Sequence, residues 1–331
     1  LGCSQDALAA AAPVLIGTRA GGLGWWRARA SPLRDAPGAA LLRETHRKQV
    51  VENALKEGLA VRIITALRDA GVEPILVKGW AVARLYPELG LRPSGDVDLI
   101  IPPGQEKAAF AAVEGWESAQ TPFDLQYQDY PKLRDRTLDD LYRRSVLVPL
   151  EGTNVRILSP EDHLALISVH FLRHGAFRAL SLCDIALCVE QAGPDFDWDV
   201  CLGHDPLVRN WLTCAIGLAH ALLGAEIDHV PDACTLPSWL VPAVLKEWQR
   251  PFATQHPDVH EPLSRVVRHP RDLPNALRDR WWGPIRASIW ANQPFDESSR
   301  LPAQIRRFAG RTAAYGARPF ARLTRTHGEI Q

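Results

Sequence analysis

The chain has 331 residues, with 38 basic and 38 acidic side chains and a formal net charge of zero. That balance supplies no global basic field of the kind that attracts nucleic acid, and no apolar run is long enough to span a bilayer. The length suffices for two domains. Six cysteines (Cys3, Cys183, Cys188, Cys201, Cys214 and Cys234) form no Cys-x-x-Cys pair and no zinc-ligand spacing. They read as reduced thiols in a cytoplasmic protein.

Residues 1–72 read as a helical region. Over 41–70 apolar side chains recur at helical spacing, among them Val50, Val51, Leu55, Leu59, Val61, Ile64 and Leu67. Gly71 ends that helix as a left-handed cap. Residues 74–77 predict a short buried strand that runs into Lys78-Gly79, and a helical segment follows over 80–86. A Pro/Gly-rich loop then leads to Arg92-Pro-Ser-Gly-Asp-Val-Asp-Leu-Ile-Ile101. Further on, helices are expected at 106–114 and 138–143, and a strand at 121–128. Residues 146–150 and 154–158, separated by Glu-Gly-Thr, predict a β-hairpin. Ser159-Pro160-Glu161-Asp162 marks a helix start: a capping serine, proline in the first turn and acids beside it. The remainder reads as mostly helical, with an acidic loop at Asp195, Asp197 and Asp199 and a late helix over 302–317. The expected parts are therefore 1–72, 73–158 and 159–331. The opening Leu1-Gly2-Cys3-Ser4 has the form of a processed lipoprotein end, but no charged and apolar stretch stands before it, and a soluble chain is expected.

The Asp96-Val97-Asp98 run carries the most chemical information. Strand side chains alternate, so Asp96 and Asp98 share a face while Val97 points into the core. Two carboxylates on one face repel unless a cation lies between them, and Mg2+ prefers hard oxygen ligands of this type. Taken alone, the pair fits equally a solvated strand end balanced by Arg92 or Arg84. Upstream, Gly79 at a strand-to-helix junction would let backbone N–H groups approach a phosphate, and Lys78 would add a cation. An ordinary strand-ending turn is the alternative for that pair.

Together, Leu-Val-Lys-Gly-Trp-Ala-Val-Ala-Arg-Leu-Tyr-Pro and Arg-Pro-Ser-Gly-Asp-Val-Asp-Leu-Ile-Ile resemble the nucleotidyltransferase superfamily that includes DNA polymerase β. The narrower resemblance is to its bacterial uncharacterised nucleotidyltransferase branch, strongest over 73–101 and weaker to about 192. It implies an α+β fold: a small mixed sheet flanked by N-terminal helices and followed by a mostly helical C-terminal domain. It also implies a third carboxylate on a neighbouring strand. Asp124 fits, since Phe123, Leu125 and Tyr127 alternate against it; Asp129 competes from the strand end. The implied site has Asp96, Asp98 and Asp124 as catalytic and metal-binding residues, with Lys78, Gly79, Arg92 and Arg173 toward the nucleotide. The implied chemistry is transfer of a nucleoside monophosphate from an NTP, with two Mg2+ ions, to a small-molecule, peptide or protein acceptor. The chain departs from the wider pattern in having Lys78-Gly79 where Gly-Ser is usual, which removes a serine hydroxyl from the triphosphate.

Two other expectations stay open at this level. One is a nucleotide-binding or scaffold protein without turnover. The other is a drug-resistance adenylyltransferase whose acidic loop (Asp195, Asp197 and Asp199) meets a cationic drug. Asp162, His163, His170, Arg173, His174, Arg178 and Asp184 are expected either to line the wall opposite the carboxylates or to cap the following loop and pack inward with their polar tips satisfied. Arg134, Arg136, Arg143 and Arg144 form either solvated helix faces or an anion-binding surface.

Overall fold

The computed structural model describes residues 3–116, 123–129, 133–231, 235–249 and 281–316. The chain divides into two units, Leu1–Phe171 with Arg178–Thr235, and Leu172–Phe177 with Leu236–Gln331. The first unit holds a five-stranded mixed sheet among helices, an α+β architecture. Its strands are β1 (Ile75–Val77), β2 (Val97–Ile100), β3 (Phe123–Gln126), β4 (Val146–Leu150) and β5 (Thr153–Ile157), in the order β3-β2-β1-β5-β4. β2 runs antiparallel to β1 and parallel to β3, while β1 is parallel to β5. β4 and β5 form the expected hairpin, except that Thr153, expected in the turn, belongs to β5 and pairs with Leu150. Glu151 and Gly152 close it, both at positive φ (46° and 78°), the turn geometry whose twist matches that of the flanking strands.

The helices α1 (Gln5–Gly17), α2 (Gly21–Arg29) and α3 (Pro37–Asp69) precede the sheet, and α4 (Gly79–Ala83), α5 (Glu106–Ala112) and α6 (Leu138–Arg144) punctuate it. Then come α7 (Pro160–Arg173), α8 (Ala179–Glu190), α9 (Trp198–Leu202) and α10 (Pro206–Leu223). The second unit contains α11 (Leu240–Trp248), α12 (Pro284–Trp290) and α13 (Leu301–Gly316). Thr121 and Pro122, with which the third strand was expected to begin, lie outside the described residues, as do Cys234, residues 250–280 and Ala317.

Alternation along β2 decides what each sheet face does. Val97, Leu99 and Ile101 are buried with Leu76, Leu125 and Val155 under Leu59, Ala60, Ile63, Ile64 and Leu67 of α3 and Ala109 of α5. Each Val, Leu or Ile among them contributes roughly 1.5–3 kcal/mol by leaving water. The intervening residues, Asp98 and Ile100, therefore face the other way. On α3 the buried stripe differs from the expected one. Val51 and Leu55 are exposed, at 60% and 70%. The polar Gln49 and Asn53 are buried where the stripe passes instead.

Each of the four clustered arginines has an acidic partner in the fold. Arg144 Nε and Nη2 donate to the fully buried Asp162 at 2.7 and 2.9 Å, and Arg136 adds a longer contact at 3.4 Å. Arg136 also donates to the backbone carbonyls of Val200 and Cys201. Arg143 pairs with Asp140, and Arg134 with Asp205. Asp162 thus holds the start of α7 in place. His163, next to it, is buried, and that burial, with Arg92 and Arg84 nearby, lowers its imidazole to about 4. It is a neutral interior residue.

Candidate active site

Register brings the carboxylates together. Asp98 on β2 pairs directly with Asp124 on β3. Parallel partners point to the same side of a sheet, so both acids project from the face opposite the α3 core. Asp96 lies just before β2 and is exposed, as is Asp124, whereas Asp98 keeps only 12% of its side-chain surface. Burial above all pushes the Asp98 carboxyl up to about 6; Lys78 opposes this, and the charges of Asp96 and Asp124 add to it. Asp98 is thus a crowded acid whose ionised form is incompletely balanced. Asp129 has a separate duty, accepting from Leu138 N at 2.6 Å at the start of α6.

Lys78 supplies the balancing charge. Its Nζ donates to Asp98 Oδ1 at 2.7 Å. Lys78 ends β1 at φ 54°, ψ −128°, a backbone region that side-chain-bearing residues rarely adopt. The helix that follows is one turn, Gly79–Ala83, shorter than the 80–86 segment expected, and offers little dipole. Gly79 suits the turn for a different reason. A Cβ there would stand 3.2 Å from the backbone oxygen of Asp96, so glycine lets the β1–α4 turn press against the residue that opens the carboxylate strand.

The loop before Asp96 is clamped from several sides. Asn53 of α3, 2% exposed, donates to Arg92 O at 2.9 Å and accepts from Ser94 N at 2.9 Å. Arg19 donates to Ser94 O at 3.3 Å. Gly22 of α2 lies so close that an added Cβ would meet Gly90 O at 2.2 Å. The N-terminal helices thus brace the loop that leads to Asp96, a role that sequence reading did not assign to them. The available signal was Asn53, a polar residue inside the buried stripe of a long helix.

Arg92, expected to contact nucleotide, is bound internally. Its guanidinium pairs with Asp184 of α8 at 3.0 Å and donates to Gly79 O at 3.0 Å and Pro93 O at 3.4 Å. Asp184 also accepts from Tyr86 OH at 2.8 Å. Arg92 and Asp184 therefore fasten α8 to the β1–α4 turn and position the site. Arg173 belongs to the second unit, where its guanidinium stands 5.3 Å from the centre of the Trp290 ring. His174 likewise packs edge-on against Phe177, at 6.4 Å. In the acidic loop Asp197 caps α9, accepting from Asp199 N and Val200 N, and Asp199 lies 3.8 Å from Arg209.

The model of the uncharacterised nucleotidyltransferase family matches residues 18–224, and the chain belongs to that family. It is thus a member of the nucleotidyltransferase superfamily. The match takes in Arg19, Asn53, the carboxylate strands and α8. Among solved structures, the chain is similar to an antigenic nucleotidyltransferase-like protein from Paracoccidioides brasiliensis, at 15% identity and a TM-score of 0.39, over 52% of this chain and 90% of that one. No curated protein matches the chain.

Proposed function

We propose that this protein transfers a nucleoside monophosphate from an NTP to an acceptor hydroxyl or phosphate, releasing pyrophosphate, with Mg2+ as the metal. The supporting observation is the Asp98–Asp124 register pair with Asp96 immediately before it. The donor set suits a hard cation: Asp98 is raised by burial and by the charges of Asp96 and Asp124, and a Lys ammonium already stands on it. Among the described residues no three His, Cys, Asp or Glu side chains form a preformed metal cluster. Asp96 and Asp98 would hold Mg2+ with the triphosphate completing its ligands, and the ion would neutralise phosphate charge there. Asp124, which is exposed, would take the proton of the acceptor hydroxyl. Lys78 would then be free to leave Asp98 for a phosphate oxygen. The acceptor is a small molecule, peptide or protein, because specificity in such sites comes from surroundings rather than fold.

The test is Asp96→Asn, assayed for pyrophosphate release with each NTP, Mg2+ and a panel of hydroxyl acceptors. Turnover should fall by about a thousandfold, since a metal-anchoring carboxylate supplies several kcal/mol of charge stabilisation. The melting temperature should hold, because Asp96 is exposed. Full activity in the variant would refute the assignment. The Lys78–Asp98 contact favours one second reading, a nucleotide-binding protein without turnover. Nucleotide binding with no pyrophosphate release on any acceptor would select it.

A further inference from the structure

The site holds a group of cations that the carboxylate chemistry leaves unexplained. Arg19, between α1 and α2, reaches the loop before β2 through its bond to Ser94 O, two residues from Asp96. Its own backbone is left-handed, with φ 66°. Asn53 grips the same loop at Ser94 N, and Lys56 follows one turn along α3, on the same side of the helix. Arg178 stands at the N-cap of α8, the helix that Asp184 ties to Arg92. All three cations are in the first unit, and all three lie within electrostatic reach of Asp96.

These cations also disturb one another. The Arg19 guanidinium is pulled below its ordinary value by burial and then by Arg92. Lys56 is pulled down by burial and then by Arg19. Arg178 is pulled down by burial and then by Arg19 and Arg92. Asp96 is the one acid that offsets all three; Glu52 assists only Arg19 and Lys56. Among the described residues, Lys56 has no ion pair within 4 Å. Collecting cations at some cost in burial and mutual repulsion is what a polyanion site requires, because the ligand's charge relieves both penalties.

We propose that Arg19, Lys56 and Arg178 receive the polyphosphate of the nucleoside triphosphate, replacing the serine hydroxyl that Lys78-Gly79 lacks. This rests on the nucleotidyltransferase reading and deepens it: the donor is recognised first by its phosphate chain, through residues contributed by the N-terminal helices and the start of α8. The carboxylates then address the reacting phosphorus while the cations hold the leaving pyrophosphate.

The experiment measures equilibrium binding of inorganic tripolyphosphate and of a non-hydrolysable ATP analogue, each with Mg2+, to the full chain. The variants are Lys56→Gln, Arg19→Gln, Arg19→Lys and, as a control on an exposed part of α3, Lys48→Gln. Lys56→Gln should weaken both ligands by about tenfold, as loss of a charge-assisted contact does, and reduce the salt dependence of binding, with melting temperature unchanged. Arg19→Gln should weaken them similarly, and Arg19→Lys should restore part of the loss. Lys48→Gln should change nothing. Because Arg19 also braces Ser94, a variant of it that melts early is set aside in favour of Lys56→Gln, which carries the decision. Affinity unchanged in Lys56→Gln overturns the inference and leaves the transferase reading standing. Weakened binding with no turnover on any acceptor upholds the inference while that reading fails. A wild-type chain that binds neither ligand overturns both.

Discussion

Two acid–base pairs in the first unit have nearly the same geometry and opposite meanings. Arg92 and Asp184 meet at 3.0 Å; Lys78 and Asp98 meet at 2.7 Å. Around Asp184 the account closes: Tyr86 OH donates to it, Arg92 approaches with two nitrogens, and the remaining guanidinium donors reach backbone carbonyls. The charge of Asp184 raises the Arg92 guanidinium despite burial, which on its own would lower it. Around Asp98 the account stays open, with one ammonium facing a buried carboxylate that has two more acids near it. A closed pair holds structure; an open one is what the proposed nucleotide site would use.

Removing one partner from each pair separates the two most strongly. Asp184→Ala leaves Arg92 buried and uncompensated, a change that costs about 3–5 kcal/mol. It should lower the urea midpoint sharply and reduce activity through misplacement of the β1–α4 turn. Asp98→Asn removes a charge the fold holds at a disadvantage, so at neutral pH its urea midpoint should be no lower than that of wild type. Equal destabilisation by both substitutions would show that the two pairs are alike and the contrast mistaken.

The pH dependence of the metal-free protein sharpens the same point. Folding raises the Asp98 carboxyl from the ordinary carboxylate range to about 6. Between those values the folded chain holds a proton that the unfolded chain has released, so stability from this group is full at low pH and is lost as pH rises through 6. Asn cannot titrate. In EDTA, the melting temperature of Asp98→Asn relative to wild type should therefore climb between pH 4 and pH 7. The buried His163, held down at about 4, titrates in both proteins and cancels in the difference. A flat difference would mean that Asp98 ionises normally.

Sequence reading reached the carboxylate strand because alternation along β2 and β3 is local and strict: one register fixes which side each aspartate takes. The hairpin and the start of α7 were legible for the same reason, through turn and capping residues. Arg92 and Arg173 were not, because their partners, Asp184 and Trp290, lie 92 and 117 positions away and no local pattern announces such contacts. Arg19 and Lys56, proposed above for the phosphate chain, drew no notice in the sequence because a charged residue in a helical stretch looks solvated until the loop it faces is known. The apolar count along α3 misled in a different way, since Val51 and Leu55 match helical spacing yet the buried face runs through Gln49 and Asn53.

The smallest expected effect concerns the backbone under the open pair. Lys78 holds a conformation suited to glycine, with φ 54° and ψ −128°, so its ion pair with Asp98 stands on a strained residue. Lys78→Ala loses the ammonium and keeps the strain. Lys78→Gly loses the ammonium and relieves it, although glycine also gives the unfolded chain more freedom, which offsets part of the gain. The net expectation is that the glycine variant is more stable than the alanine variant by about 1 kcal/mol, read as a difference in urea midpoint at equal slope. Both should share the same loss of nucleotide affinity, because the charge they lack is the same. If alanine proves as stable as glycine, the turn carries no strain at Lys78, and the lysine is held there by packing rather than against a backbone cost. If only the glycine variant loses affinity, the strained backbone itself aims the β1–α4 turn, and the contrast with the unstrained Arg92–Asp184 pair extends from charge to conformation.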